Sequence, residues 1–546
     1  MRNYINLLAL CFLLAFSFTV IADENIATGG INMGINLWEL ANKNRDLHRF
    51  ATLFTAQNVR DLLSSDEGQK NAIDWCKKTA VTHAFVESYR DGYTAEKSAL
   101  ERAKKAFIGA GIDVSGCVTP TGIGKTSTGW KAVSCYTNIS TQEQLQSIFE
   151  YTASMFDEIM IDDFLFTDCE CEECVKAKGD KSWSEYRNDL MVKMSRERIL
   201  NPAKKVNPKA SIIIKYPQWY DDFHLRGYEV IRETEDYDKI WVGTETRDPD
   251  SKDWGRKAQY EAYYIMRWLS VIGGEKTGGG WYDPYGTHPP TYVEQARQTI
   301  LADAKESLLF CYGSLLSDTG PANIEKLRTE IPALFELADI VKGKTIKGVL
   351  APKPPNSDPH KEKYIFDFVG MLGLPLVPEP DIKPSKAVFL SAHALKDQDL
   401  IPKLKKMIED KTPLLITDSL RDMLKGKIDL SDGNVQILEV NGDPWSILNL
   451  DRGYLLNLRN KMLKPFGITF DAPNKIALYL MGDEYIIIEN FNDEGIDAKF
   501  SMSGLKNAKS LVTLPIDANI GLKVENGTIS VSMSPRSMIA IQRIKD

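Results

Sequence analysis

Histidine is scarce in this chain, with six in 546 residues, and no H-E-x-x-H or other metal-ligand spacing occurs among them. A catalytic metal held by histidines is therefore not expected. Gly-rich phosphate loops are also missing. Gly278-Gly279-Gly280 has neither the x-x-G continuation nor the lysine of a phosphate cradle, and it reads as the tight opening of a strand. There is no long Lys/Arg cluster and the net charge is -8, which argues against nucleic acid as the partner. No stretch reaches the ~20 apolar residues of a membrane span.

The first residues carry an export pattern. Arg2 precedes an apolar run from Leu7 to Thr19, then Val20-Ile21-Ala22, a small-residue cleavage site. This predicts a signal peptide over 1–22, a mature chain starting near Asp23, and a soluble secreted or periplasmic protein. Cys11 lies in the run without the small residue that precedes a lipid-modified cysteine. Hydrophobic residues make up 43% and charged residues 26%, an ordinary globular balance, and the length predicts two to four domains. Ten Trp and 21 Tyr supply flat apolar faces that suit sugar rings, although most aromatics in any protein are core.

From about His48 to Gly343 one unit recurs eight times: a short apolar run, a polar loop, then an amphipathic helical segment. The runs are Arg49-Ala56, His83-Ser88, Asp113-Thr119, Glu158-Asp163, Ser211-Pro217, Lys239-Thr246, Gly278-Asp283 and Ser307-Gly313. Eight such units predict a (β/α)8 TIM barrel over 23–345. Strand and helix then alternate through Ile346-Ala351, Tyr364-Leu372, Ala387-Ser391, Leu400-Lys405 and Leu414-Thr417, predicting a small α/β domain over 346–470. Alternating runs such as Ile476-Leu480, Tyr485-Asn490, Ser510-Leu514 and Ser537-Arg543 predict an antiparallel β-sandwich over 471–546.

Barrel enzymes work at the carboxyl ends of their strands. Strand two ends in Glu87 with Arg90 close behind, strand four in Asp162-Asp163, strand five in Lys215-Tyr216 before Trp219, strand six in Glu245 before Arg247, and strand seven in Trp281 and Asp283. Four strand ends carry acids, and each acid brought to a low-dielectric cavity costs free energy unless paired. Glycoside hydrolysis needs two carboxyl groups across an anomeric carbon, one protonated and one not, flanked by aromatic rings. Asp163 is assigned as nucleophile and Glu245 as general acid/base, with Asp162, Asp283 and Glu87 in reserve. Lys215 is placed to hold the nucleophile charged. Tyr216, Trp219 and Trp281 are read as the sugar platform, and Arg90 and Arg247 as ligands for hydroxyls or an acidic sugar. The plainer reading of any one of these acids is a cap at a strand-to-helix turn. For the whole chain it is a barrel that binds carbohydrate without cleaving it.

The loop after strand four contains Cys169, Cys171 and Cys174, and Cys135 lies in the loop after strand three. Four thiolates can enclose a structural zinc, which would brace the loops without activating water. Disulfides are the rival in a secreted protein. Cys76, Cys117 and Cys311 sit in apolar runs and read as buried thiols.

The run Ile159-Met160-Ile161-Asp162-Asp163-Phe164, followed by Cys169, Cys171 and Cys174, resembles the hypothetical glycosyl hydrolases and the family 42 β-galactosidases. The resemblance implies a zinc site at Cys135, Cys169, Cys171 and Cys174. It also implies a domain order of barrel, flavodoxin-like domain of the trimerisation type, and small β-domain, hence a possible homo-oligomer. Family 42 ends strand four with Asn-Glu and takes its nucleophile from strand seven. Here strand four offers Asp162-Asp163 and the stronger second acid is Glu245 on strand six, a pattern more similar to α-galactosidase barrels.

Overall fold

The structure is a computed structural model describing residues 35–253 and 255–544. The predicted signal peptide and Cys11 lie outside the described residues. Eight parallel strands close a barrel: β1 Arg49–Phe54, β2 Val81–Arg90, β3 Asp113–Val118, β4 Glu158–Ile161, β5 Ser211–Tyr216, β6 Lys239–Gly243, β7 Thr277–Tyr282 and β8 Glu306–Leu309. Each pairs with the next in parallel, and β1 pairs with both β2 and β8, which completes the ring.

Successive side chains of a strand point to opposite faces, so one residue in two enters the barrel. The interior is a single cluster of Ala51, Leu53, Phe85, Cys117, Met160, Ile213, Trp241, Trp281 and Leu308, capped by Phe310 and Cys311. Trp241 fits because Gly278 and Gly279, near the start of β7, leave room for its ring. A Cβ at Gly279 would lie 2.5 Å from the Glu306 carbonyl oxygen and 2.8 Å from the Trp241 ring.

Beyond the barrel a five-stranded parallel sheet contains β9 Val349–Pro352, β10 Leu376–Glu379, β11 Val388–Leu390, β12 Leu414–Thr417 and β13 Val435–Leu438, in the order β10-β9-β11-β12-β13. That 2-1-3-4-5 order is flavodoxin-like. The apolar run from Ile346 is not one strand. Ile346–Lys347 pairs antiparallel with Leu480 and Met481 of the last sheets, and the chain turns at Gly348 (φ 148°) before β9 begins. A Cβ at Gly348 would lie 1.9 Å from the Pro375 oxygen, so glycine alone allows the switch. Two antiparallel sheets complete the chain. One joins Ile346–Lys347 to Ile476–Met481, Tyr485–Asn490, Ser537–Ile544 and Asn507–Leu514. The other joins Ile468–Asp471, Ile496–Met502, Thr528–Met533 and Gly521–Glu525. Among the described residues no helix is long and apolar enough to cross a membrane.

Candidate active site

The polar layer at the carboxyl end follows from the strand period. Two residues beyond the interior Phe85, Cys117, Met160, Ile213 and Trp281 stand Glu87, Thr119, Asp162, Lys215 and Asp283, on the same face of the pleat. Glu245 is four beyond Trp241, with Gly243 between them. The barrel thus changes from apolar to ionic within one step of the pleat.

Lys215 is the hub. Its Nζ donates to Asp163 Oδ2 at 2.9 Å and to Glu245 Oε1 at 2.8 Å, lies 3.6 Å from Asp162 Oδ1, and rests 4.0 Å above the Trp281 ring. Burial works against its charge, but the three carboxylates outweigh that and raise its pKa. Arg90 spans the other side, donating from Nε to Glu87 Oε2 and from an Nη to Asp162 Oδ2, both at 2.9 Å. The Thr119 hydroxyl lies between Glu87 and Asp162, 3.0 Å from the latter. Arg247, at a left-handed φ of 62°, clamps Asp283 through two nitrogens at 3.2 and 2.7 Å and reaches Glu245 Oε2 at 3.4 Å.

Five acids face three cations here, so the layer cannot be fully ionised at low cost. Burial pushes the Asp162 carboxyl up, but Lys215, Arg90 and the Asp163 amide outweigh it and hold the group below the usual range. Asp163 has only the shared Lys215. Burial together with the Asp162 and Glu245 charges pushes it up to about 8, against the Lys215 attraction. Burial also raises Glu87 and Asp283, against Arg90 and Arg247 respectively.

The aromatic residues divide. Trp281 is the floor under Lys215 and is buried. Trp219 is partly exposed, packed on Phe166, Phe223 and Tyr228, with the Arg226 guanidinium 5.5 Å above its ring. Tyr216 departs from the expectation of a sugar platform. It follows Lys215 and so points out of the barrel, fully buried against Phe223 and Tyr228 with its hydroxyl 3.3 Å from Thr234. Arg90 and Arg247, expected to bind hydroxyls or an acidic sugar, each hold carboxylates of the layer.

Thr119, Tyr228 and Phe310 were missed in the sequence. Thr119 continues the β3 alternation and was legible from it. Phe310 stacks on Trp281 and lies beneath Arg90, a contact made across strands and invisible to local pattern.

Beside this layer Cys135, Cys169, Cys171 and Cys174 converge, with all four Sγ atoms within 4.8 Å of one another. The Sγ of Cys135 lies 3.5 Å from that of Cys174 and 3.7 Å from that of Cys171. These are not disulfides, and all seven described cysteines are free. The hydrogen bond from Cys174 holds the Cys135 thiol down to about 5.

A cavity of about 540 Å³ opens at the opposite, amino end of the barrel, lined by Arg49, His83, Glu158, Lys239 and Glu306 among others. Several of its polar groups are held by ion pairs and hydrogen bonds: His83 with Glu306 at 2.7 Å and with Ser115 at 2.8 Å, and Lys239 with Glu158. They brace the barrel base.

Residues 36–358 match the model of the family described as probable glycosyl hydrolase, catalytic domain. The chain belongs to this family. Residues 346–448 of this glycosyl hydrolase family member also match the second domain of the uncharacterized protein SSO3021. The SSO3021 protein of Saccharolobus solfataricus is 26% identical over 395 residues, covering 66% of this chain, and the chain spans 64% of that relative's length. Among solved structures, α-L-fucosidase isoenzyme 2 from Paenibacillus thiaminolyticus superposes with a TM-score of 0.63 at 10% identity, over 91% of this chain and 100% of that one. The exo-β-1,4-mannosidase Op5Man5 from Opitutaceae bacterium strain TAV5 gives a TM-score of 0.48 at 10% identity, over 90% and 86%. At such identity the likeness to the fucosidase is one of fold.

Proposed function

We propose that this family member is a retaining glycoside hydrolase acting on a neutral sugar, with Asp163 and Glu245 as the reacting pair. One observation carries this. An oxygen of each acid lies within 2.9 Å of the same lysine nitrogen, so the two oxygens are less than about 6 Å apart. Retaining enzymes hold their carboxyl groups about 5 to 5.5 Å apart, and inverting enzymes about 6.5 to 9.5 Å.

The charges favour an exchange of the roles assigned from strand order. Glu245 touches two cations, Lys215 and Arg247, and is the nucleophile. Asp163 has the poorer compensation and carries the proton. In the first step Glu245 attacks the anomeric carbon, the glycosidic bond breaks, and the Asp163 proton passes to the leaving oxygen. In the second step Asp163 takes a proton from water, the hydroxyl adds to the anomeric carbon, and Glu245 is released. The likeness to family 42, whose general acid ends strand four, agrees with the acid role of Asp163. A neutral sugar is favoured because a uronic carboxylate would enter a layer with more acids than cations.

Zinc at Cys135, Cys169, Cys171 and Cys174 belongs to the same reading. Zn–S bonds of about 2.3 Å in a tetrahedron give sulfur separations of about 3.8 Å, close to the spacing of these thiols. Four protein ligands close the coordination sphere, so the metal would brace loops and supply no water. The basic, apolar and small-residue order of residues 2–22 supports export of the mature chain.

The test is hydrolysis of aryl α- and β-glycosides of neutral sugars and uronic acids, with product configuration followed by NMR. Retention, and loss of more than about a thousandfold in Asp163→Ala and Glu245→Ala, are expected. Azide should trap a glycosyl azide of inverted configuration with Glu245→Ala and of retained configuration with Asp163→Ala. The opposite azide pattern restores the strand-order roles. An inverted product overturns the retaining mechanism, and full activity in both variants overturns the pair.

A further inference from the structure

Trp130 presents an indole to solvent at 44% exposure, while its backbone is anchored. Its backbone N–H donates to Asp168 Oδ2 at 2.9 Å, and Ser127 donates to the other oxygen of that carboxylate at 2.6 Å. The chain approaches Asp168 so closely at Gly129 that a Cβ there would lie 2.4 Å from the carboxyl carbon. Thr128 accepts from the Glu170 amide at 2.7 Å. Cys135, five residues on, joins the thiol cluster with Cys169, Cys171 and Cys174. Two loops from neighbouring strands are thereby tied together on both sides of Trp130.

The ring lies on two others. It is near-parallel to Phe166, with centroids 5.9 Å apart and planes at 17°, and tilted at 34° to Phe164 at 5.5 Å. Phe164 directly follows Asp163. Phe166 continues the aromatic strip to Trp219 at 5.2 Å. A large apolar face left in water on a strip of rings that begins beside Asp163, with its backbone already fixed, is a preorganised binding surface, because less ordering cost remains to be met when a ligand arrives.

We infer that Trp130 is the platform for a sugar ring on the leaving-group side of the scissile bond, so that the substrate is an oligosaccharide and not a single sugar on a small aglycone. This rests on the assignment of Asp163 as proton donor, since the leaving group lies on the donor's side. The four-cysteine site then serves specificity by fixing the loop that carries the platform. Trp130 takes no part in bond breaking.

The experiment compares Trp130→Ala and Trp130→Phe with the parent on an aryl glycoside and on trisaccharides of the same sugar. Stacking of one ring is worth about threefold to tenfold in affinity. In Trp130→Ala the ratio of kcat/KM for trisaccharide over aryl glycoside should fall by about that factor, through KM, and Trp130→Phe should restore most of it. An unchanged ratio, or a fall through kcat alone, overturns the platform. Thermal unfolding and thiol titration of both variants exclude a collapsed loop. If the parent cleaves no glycoside, the hydrolase reading fails separately. Calorimetric titration of the parent with gluco-, galacto-, manno- and xylo-trisaccharides then decides the platform: binding weakened by Trp130→Ala supports it, and no binding, or binding that Trp130→Ala leaves intact, overturns it.

Discussion

The Nζ of Lys215 stands 2.8 Å from Oε1 of Glu245, a bond that joins β5 to the segment just past its neighbour β6. The same nitrogen holds Asp163 and stacks on Trp281, so one cation bridges the two acids proposed to react. Lys215→Met keeps the length of the side chain and removes that charge. It is expected to lower kcat/KM by a factor of about a hundred to ten thousand, the range for losing a placed electrostatic or proton-transfer partner. The limb set by Asp163 should move to higher pH, because that acid loses its positive neighbour. A profile that keeps its shape and position would assign Lys215 to folding alone.

Asp163 gives a prediction in two measurements. Its carboxyl is pushed up to about 8 from an ordinary value of 3.8. With a raised folded pKa, the native state binds more protons than the unfolded chain. The stability this group contributes is full below about pH 3.8 and is lost as pH rises through about 8. Asp163→Asn, which stays neutral, should melt about 1 to 3 °C higher than the parent near pH 8 and no higher near pH 4. With Asp163 as the proton donor, kcat/KM should fall on an alkaline limb near pH 8 set by the same proton.

Much of this layer was legible because a barrel strand has a rigid period. Once Phe85, Met160, Ile213 and Trp281 are read as interior, Glu87, Asp162, Lys215 and Asp283 follow on the same face, and the strand starts agree with the structure to within two residues. Tyr216 obeys the same parity, since the neighbour of an inward lysine must point outward, away from any sugar. The strand Leu376–Glu379 escaped notice because Pro378 argues against a strand, a signal weakened here by its place at the sheet edge. Trp130 could not be read at all. Its place depends on a loop closed by Asp168 and by Cys169, Cys171 and Cys174, far along the sequence.

The barrel and the flavodoxin-like sheet meet at a buried ionic contact. Asp221, two residues after Trp219, lies 2.9 Å from His393 Nε2 and 3.6 Å from Lys353, and accepts the Tyr364 amide at 2.7 Å. Burial lowers His393, so the folded chain holds it neutral while the unfolded chain protonates it below about 6.5. Burial pushes Asp221 up, but His393 and Lys353 outweigh that and lower it, so its contribution too is lost toward acid. His393→Gln should flatten the fall in melting temperature between about pH 6.5 and 5. Asp221→Ala, which strands Lys353 without its counter-ion, should cost about 3 to 5 kcal/mol in denaturant unfolding. Equal slopes for parent and His393→Gln would remove the histidine from the acid response.

The thiol cluster separates zinc from its rival by stoichiometry. With Sγ atoms 3.5 to 3.7 Å apart, no pair of Cys135, Cys171 and Cys174 is at the ~2.05 Å of a disulfide, and the four converge as a metal tetrahedron requires. Atomic absorption should find one zinc per chain, lost together with a drop of several degrees in melting temperature when a chelator is added at low pH, where the thiolates protonate. Cys174→Ser should lose the metal and the stability while the barrel keeps its far-UV spectrum. If the cluster were oxidised instead, titration under denaturing conditions would find only Cys76, Cys117 and Cys311 as free thiols. Finding all seven described cysteines as free thiols after the chelator would exclude a disulfide tie between the two loops.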